Sequence, residues 1–316
     1  MDNAHSHLSL GGGAEFDTIR SLIAAWGDRA RGIGDDAAIL DIPADERLVV
    51  STDACVENVH FRRGWLEPEE IGARAAAAAL SDLAAMAATP RGLLLSLAFP
   101  ETWRDSLVGI ARGVGEVAAS VSCPIVGGNM TTATELSITT TVLGSGHSLL
   151  ERGGVQAGDI ICVTGRLGGP GAALRAFELG ETPAEEYRAR FARPVPRIEE
   201  ATWLAARGAH AAIDISDGLM RDAGHLIAAS GVSIHVNQQA VPRLAGITWE
   251  DAVESGEEYE LLVALPGEPS VKRLAAEFHE RFGLSLVPIG RAAAPRHAGQ
   301  ATLEMLEAEA HEDWFV

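Results

Sequence analysis

Apolar residues recur at helical spacing in "EFDTIRSLIAAWG", "PEEIGARAAAAALSDLAAMAA" and "WRDSLVGIARGVGEVAASV", and each stretch predicts a helix with a buried face. "RLVVSTDACVENVHF", "RGLLLSLAFP" and "CPIVGG" carry the β-branched or continuous apolar character of strands, and "ELSITTTVLGSG" alternates with period two. Beyond the glycine-rich "SGHSLLERGGVQAGD" the pattern starts again. "DIICVTG", "AAIDIS", "VSIHVN" and "YELLVAL" predict strands; "GGPGAALRAFELG", "EATWLAARGA", "LMRDAGHLIAASG" and "SVKRLAAEFHERFG" predict helices. The break places a boundary near residue 149 and domains at 1–149 and 150–316. Both halves mix strands and helices without strict βαβ order, so the expected class is α+β rather than doubly wound α/β.

Composition narrows the chemistry. The 316 residues, 47% of them hydrophobic and 22% charged, are typical of a soluble chain long enough for two cores. Twenty-five Lys and Arg against 44 Asp and Glu leave a net charge of −19, which argues against broad binding to nucleic acid or anionic membranes. A small anionic substrate then needs bridging cations. Lys272 is the only lysine and sits in an amphipathic helical pattern. A P-loop lysine, a Schiff-base lysine and a kinase-type strand lysine are thereby excluded, leaving Arg, backbone N–H groups or metal ions to hold phosphate. Cys55, Cys123 and Cys162 are odd in number and show no CxxC spacing, as expected of buried thiols in a reducing compartment. The N-terminus lacks the charge and apolar run of a signal peptide, and the alanine-rich stretch is broken by Arg74, Ser81 and Asp82. The expectation is a cytoplasmic protein.

Acids stand where core elements end. "RGIGDDAAIL" sets Asp35 and Asp36 in a glycine turn, "LVVSTD" ends in Ser51, Thr52 and Asp53, "ALSDLAAM" holds Asp82, and "AAIDISDGL" holds Asp214, Ser216 and Asp217. One such Asp is ordinarily a turn former or cap, and Asp41 and Asp45 read that way. Asp82 and Asp214 have almost wholly apolar neighbours, and burying a lone carboxylate costs several kcal/mol unless it is paired or binds metal. On a strand Asp214 and Ser216 share a face. Hard oxygen donors without His or Cys clusters fit Mg²⁺; unconnected caps and structural acids are the alternative. "TGRLGGPGAAL" fits a tight strand-to-helix turn and, as a helix N-terminus, a phosphate site, but lacks GxGxxG and GK[ST] spacing. His60 reads as core or ligand, Glu257 and Glu258 as a solvated turn or a contact, and Arg152 as surface or a phosphate partner.

Taken in order, "GIGDDAA", "STD" with "NVHF", "LSDLAAMAATP", "VGG", "RGGVQAGDIICVTG", "RPVPR", "AAIDISDGL" and "SGEEYEL" resemble the thiamine-monophosphate kinase family, in the PurM-like superfamily of aminoimidazole ribonucleotide synthetase. The resemblance runs from Glu15 to Gly290. It implies a two-domain α+β homodimer, joined through N-terminal strands, that binds ATP, several Mg²⁺ ions and thiamine monophosphate. It also implies that Asp36, Ser51, Thr52, Asp53, Asp82, Asn129, Asp214 and Asp217 hold metal. Gly128, Asn129, Arg152 and Ser216 would touch nucleotide, and His60, Glu257 and Trp314 the thiamine substrate; Arg152 and Asp217 would be catalytic. This chain departs from the family pattern in three places. Asn129 stands for a metal-binding Asp in the family's GGD, although amidoligase-type relatives carry GGN. "SGEEYEL" replaces GGEDYEL, which lengthens the side chain at Glu258 by a methylene. The family's aromatic near the C-terminus has no clean counterpart in this chain, where Trp314, in "HEDWFV", is the candidate for its place.

The implied reaction suits the composition. A phosphate acceptor has a second pKa near ~6 and is largely anionic at neutral pH, so it needs no general base. Positioning and charge neutralisation remain, and these do most of the work in phosphoryl transfer. Two other readings stand beside it: an amide-activating synthetase of the same superfamily, and a nucleotide-binding relative weakened by Asn129.

Overall fold

The computed structural model of the chain describes residues 13–34, 36–267, 271–295 and 301–306. Asp35 and Trp314 lie outside the described residues. Two compact units are present. The first comprises Met1–Leu83, Ala88–His147 and Ala192–Pro196; the second comprises Ala84–Ala87, Ser148–Phe191 and Arg197–Val316.

The first unit holds α1 (Ala14–Trp26), β1 (Arg47–Val56), α2 (Pro68–Ala85), β2 (Thr89–Phe99), α3 (Leu107–Ser120), β3 (Ile125–Thr132) and β4 (Ser137–Gly146). Its sheet runs β1-β4-β2-β3, with β2 and β3 parallel and the other pairs antiparallel. The parallel pair needs a crossover, which α3 supplies. Alanine gives α2 high helix propensity. Its first turn carries Glu69 and Glu70, and Glu70 Oε2 accepts the Glu67 N–H at 2.9 Å. Buried on nearly every side, α2 behaves as an interior helix. Leu93, Leu95, Leu97, Ile110, Val114 and Ile138 fill the core beside it. Trp26 Nε1–H donates to the Ala111 carbonyl at 2.8 Å and ties α1 to α3.

The second unit holds β5 (Ile160–Thr164), α4 (Gly169–Glu178), α5 (Glu185–Ala192), α6 (Ile198–Ala205), β6 (Ala211–Asp214), α7 (Leu219–Ser230), β7 (Ser233–Asn237), α8 (Trp249–Glu254), β8 (Leu261–Leu265), α9 (Val271–Phe282), β9 (Leu286–Ala293) and β10 (Leu303–Leu306). Its mixed sheet runs β10-β7-β9-β5-β8-β6. The expected α+β class holds in both units. β9 was not foreseen because Pro288 interrupts it, and proline argues against a paired strand. It is accommodated opposite Cys162, where the register shifts. α5, "EEYRARFA", is too highly charged to show an apolar stripe. The three cysteines are buried and stand outside any disulfide, and burial pushes the Cys123 thiol up to about 12. No helix of the described residues is long and apolar enough to cross a membrane.

Candidate active site

In the first unit, strand alternation sorts the acids. Ser51 and Asp53 share one face of β1, and Ser51 Oγ donates to Asp82 Oδ2 on α2 at 2.5 Å, so this is the helix-facing side. Thr52 projects to the opposite face, where its hydroxyl meets that of Thr141 at 3.0 Å. Thr140 pairs with Asp53 in register, and its buried hydroxyl has no hydrogen-bond partner in the structure. The burial expected of Asp82 is corrected: in the last turns of α2 it is half-buried, because that end of the helix faces edge strand β1. Arg74, two turns earlier on the same helix, is the fully buried charge.

The glycine turn at Gly32 and Gly34 takes positive φ at both positions and delivers Asp36. Asp36 and Asn129 both line two cavities. One, of ≈ 350 Å³, is walled by Phe16, Trp26 and Leu97. The other, of ≈ 590 Å³, is walled by Ser96, Thr141 and Leu143. Leu97 and Ser96 project to opposite faces of β2, so the cavities flank the edge formed by β3. Gly128 is fixed by close approach: a Cβ there would lie 1.9 Å from the Leu95 carbonyl oxygen.

In the second unit, Asp214 ends β6 and is 3% exposed, as its apolar neighbours led one to expect. The chain beyond it is laced to the "SGEEYEL" segment. Glu257 N–H reaches the Ser216 carbonyl at 2.7 Å, and Tyr259 N–H reaches Ile215 at 2.9 Å. Glu257 and Tyr259 sit at φ 58° and 53°, a conformation costly for side chains of this size and typical of functional segments. Asp222 Oδ2 accepts the N–H groups of Ser216 and Asp217, each at 3.1 Å. Burial pushes Asp222 up to about 6, against those two hydrogen bonds. Asp217, Asp222 and His225 bring their ligand atoms within 4.8 Å of one another. Sequence reading missed Asp222 and His225; their i, i+3 spacing just after the "SDG" turn was the available signal. Arg152 is exposed, in a short 3-10 turn whose Gly154 packs against the His210 carbonyl.

The glycine loop resolves as a turn. Gly168 N–H donates to Glu258 Oε1 at 2.5 Å, and Gly171 N–H to Ser255 Oγ at 3.0 Å. Residues distant in sequence therefore cap α4 in place of a phosphate. Gly165, at φ 66°, sits against Glu260. Glu260 holds Arg197 at 2.6 and 3.0 Å and accepts the Thr164 hydroxyl at 2.6 Å, so "RPVPR" and "EEYEL" are joined by a buried, bidentate ion pair.

Comparison with known proteins completes the picture. The AIR synthase related protein N-terminal domain matches residues 34–145, and its C-terminal domain residues 156–302. The thiamine-monophosphate kinase of Salmonella typhimurium is 36% identical over 272 residues, 78% of this chain and 82% of that protein. The chain belongs to the thiamine-monophosphate kinase family. The Mycobacterium tuberculosis family member is 32% identical over 270 residues, covering 80% of this chain and 81% of the relative. The crystal structure of thiamine-monophosphate kinase from Stenotrophomonas maltophilia K279a aligns with a TM-score of 0.81 at 33% identity, over 95% of this chain and 98% of that one. AaThiL complexed with AMPPCP and TMP aligns at 0.73 and 26% identity, with the same coverage.

Glu258, where the kinase family usually has Asp, gives a pH prediction. Burial pushes its carboxyl from an ordinary 4.5 up to about 8, against hydrogen bonds from Ser255 and Gly168. Its contribution to stability is complete below pH 4.5 and is lost as pH rises through about 8, because the folded state holds a proton that the unfolded chain releases. Glu258→Gln keeps an acceptor oxygen and removes the titration. Thermal unfolding between pH 5 and 9 should show the variant gaining on the parent as pH rises, by at most about 1.4 kcal/mol per pH unit. Parallel curves would refute the assignment.

Proposed function

We propose that this chain transfers the γ-phosphoryl group of ATP directly to the phosphate of thiamine monophosphate, releasing thiamine diphosphate and ADP. The observation that carries the reading is the 36% identity to a curated thiamine-monophosphate kinase over four-fifths of both chains. The neighbour described with AMPPCP and TMP supports the same pair of substrates.

The donor set fits Mg²⁺. Carboxylates and hydroxyls predominate, the Ser51–Asp82 pair adjoins the face bearing Asp53, and Asp214 is a buried carboxylate, all hard oxygens of the kind this ion selects. In the first unit Asp36, Ser51, Thr52, Asp53, Asp82 and Asn129, and in the second Asp214 and Asp217, are the residues that would hold several such ions. When bound, such ions would supply charge neutralisation and alignment of the phosphates for in-line displacement. The remaining work falls to the chain itself. Arg152 supplies positive charge to the nucleotide phosphates, and Gly128 and Ser216 bring strand and loop backbone against the nucleotide. His60 and Glu257 hold the thiamine substrate. No side chain need remove a proton, because the attacking phosphate oxygen is already anionic. A homodimer accords with edge strand β1, which leaves Leu48 and Val50 more than half exposed.

The test is incubation with ATP, Mg²⁺ and thiamine monophosphate, with thiamine diphosphate as the product followed. Asn129→Asp restores one negative charge, and half-maximal activity should then be reached at a several-fold lower Mg²⁺ concentration, on the scale of about tenfold for a gained charge contact. ADP and free phosphate without thiamine diphosphate would instead indicate an amide-activating enzyme. ATP binding without turnover at high Mg²⁺ would indicate a non-catalytic relative.

A further inference from the structure

Residues 56–61 form a closed knot at the end of β1. Val59 and His60 N–H both reach the Val56 carbonyl, at 3.2 and 2.9 Å, and Asn58 N–H reaches Phe61 at 2.7 Å. Asn58 takes φ 65°, which Asn tolerates better than most residues. In return, Val56 N–H donates to His60 Nδ1 at 3.1 Å. A ring nitrogen that accepts this bond offers its lone pair, so the imidazole hydrogen resides on Nε2. Nε2 has no partner among the described residues.

Beside this knot lies a polar contact that the reading of the reaction does not use. Glu57 is 9% exposed, and its Oε2 accepts Trp103 Nε1–H at 2.9 Å and Leu136 N–H at 3.2 Å. Trp103 is itself buried. It meets Phe61 edge-on, with ring centroids 6.3 Å apart, and the Arg63 guanidinium lies 4.4 Å from its ring centre. The indole thus grips the knot at both ends, Glu57 by hydrogen bond and Phe61 by ring contact. A buried carboxylate deprived of one of two donors is costly, so the loop geometry depends on the pair.

We propose that Glu57 and Trp103 are positioning residues that hold His60 as a fixed Nε2–H donor to the acceptor phosphate, an inference that rests on the reading of His60 as a thiamine monophosphate contact. A phosphate oxygen only accepts, so a locked donor matches it, while a freely exchanging ring would present a lone pair part of the time.

Nitrogen-15 NMR of the imidazole and steady-state kinetics test this together. The wild-type His60 ring should report the Nε2–H tautomer alone. Trp103→Phe should mix the tautomers and raise KM for thiamine monophosphate about tenfold, leaving kcat and KM for ATP in place. Glu57→Gln, which keeps an acceptor for the indole, should stay near the parent. In a His60→Ala background, Trp103→Phe should add nothing further to KM, because the two act as one unit. A wild-type ring sampling both tautomers, or a Trp103→Phe effect undiminished without His60, overturns the positioning role. The wild-type spectrum alone decides the first point if Trp103→Phe does not fold. A His60→Ala protein with unchanged KM, beside a wild-type ring ordered as Nε2–H, overturns the substrate contact and with it the proposal, and places the failure in the reading of the site.

Discussion

Asp82→Asn should lower thiamine diphosphate formation by about 10²- to 10³-fold, the scale on which a single preorganised electrostatic contact is felt in a transition state. The substitution is chosen because the structure separates two roles of this side chain. Its Oδ2 accepts the Ser51 hydroxyl at 2.5 Å, and an asparagine oxygen can do the same, so the packing of α2 against β1 is retained. What is lost is a negative charge on the face shared by Ser51 and Asp53. Asp82 is half-buried, so the charge removed is one that solvent already partly screens, and the unfolding midpoint should move little. Raising Mg²⁺ should recover part of the activity. A variant within threefold of the parent at saturating ATP would remove Asp82 from the metal set and leave it a helix-to-strand contact.

The sequence displayed the acids more plainly than their grouping. Asp214 was legible because a carboxylate inside a run of Ala and Ile must be buried, and it is. Asp82 looked the same on paper, yet its place in the last turns of α2 leaves it partly open; helical position, which neighbour composition does not reveal, made the difference. Adjacent Ser51 and Thr52 read as one motif, but a strand sends them to opposite faces. The cap on α4 was invisible for another reason: Ser255 and Glu258 lie more than eighty residues from the N–H groups they satisfy, and local rules for helix starts see only neighbours. Lacing of the "AAIDISDGL" and "SGEEYEL" segments is likewise a tertiary fact, made by backbone hydrogen bonds between residues some forty positions apart. The α+β class was readable throughout, since it depends on local periodicity.

Glycines in α2 and α3 carry the other large effect. Both stretches read as helices, and in a helix glycine is ordinarily a liability of about 1 kcal/mol against alanine. Here the two helices touch through their backbones. A Cβ at Gly113 would lie 1.8 Å from the Glu69 carbonyl oxygen, and one at Gly72 would lie 1.9 Å from that of Ile110. The obstructing atoms are main chain on both sides, so no rotamer change relieves the overlap, and the helices must part. The core residues between them, Ile110 and Val114 among them, would then lose contact along the crossing. Gly113→Ala should therefore destabilise by about 3 kcal/mol or more, lowering the melting temperature by roughly 10 °C. The same substitution at Gly224, inside α7 with nothing within 4 Å of the added carbon, should have the opposite sign and stabilise by about 0.5–1 kcal/mol. Calorimetry on the two variants reads both at once. Equal melting temperatures for Gly113→Ala and the parent would mean that the helices do not approach as closely as this packing requires, while a gain at Gly224 alone would still reflect helix propensity.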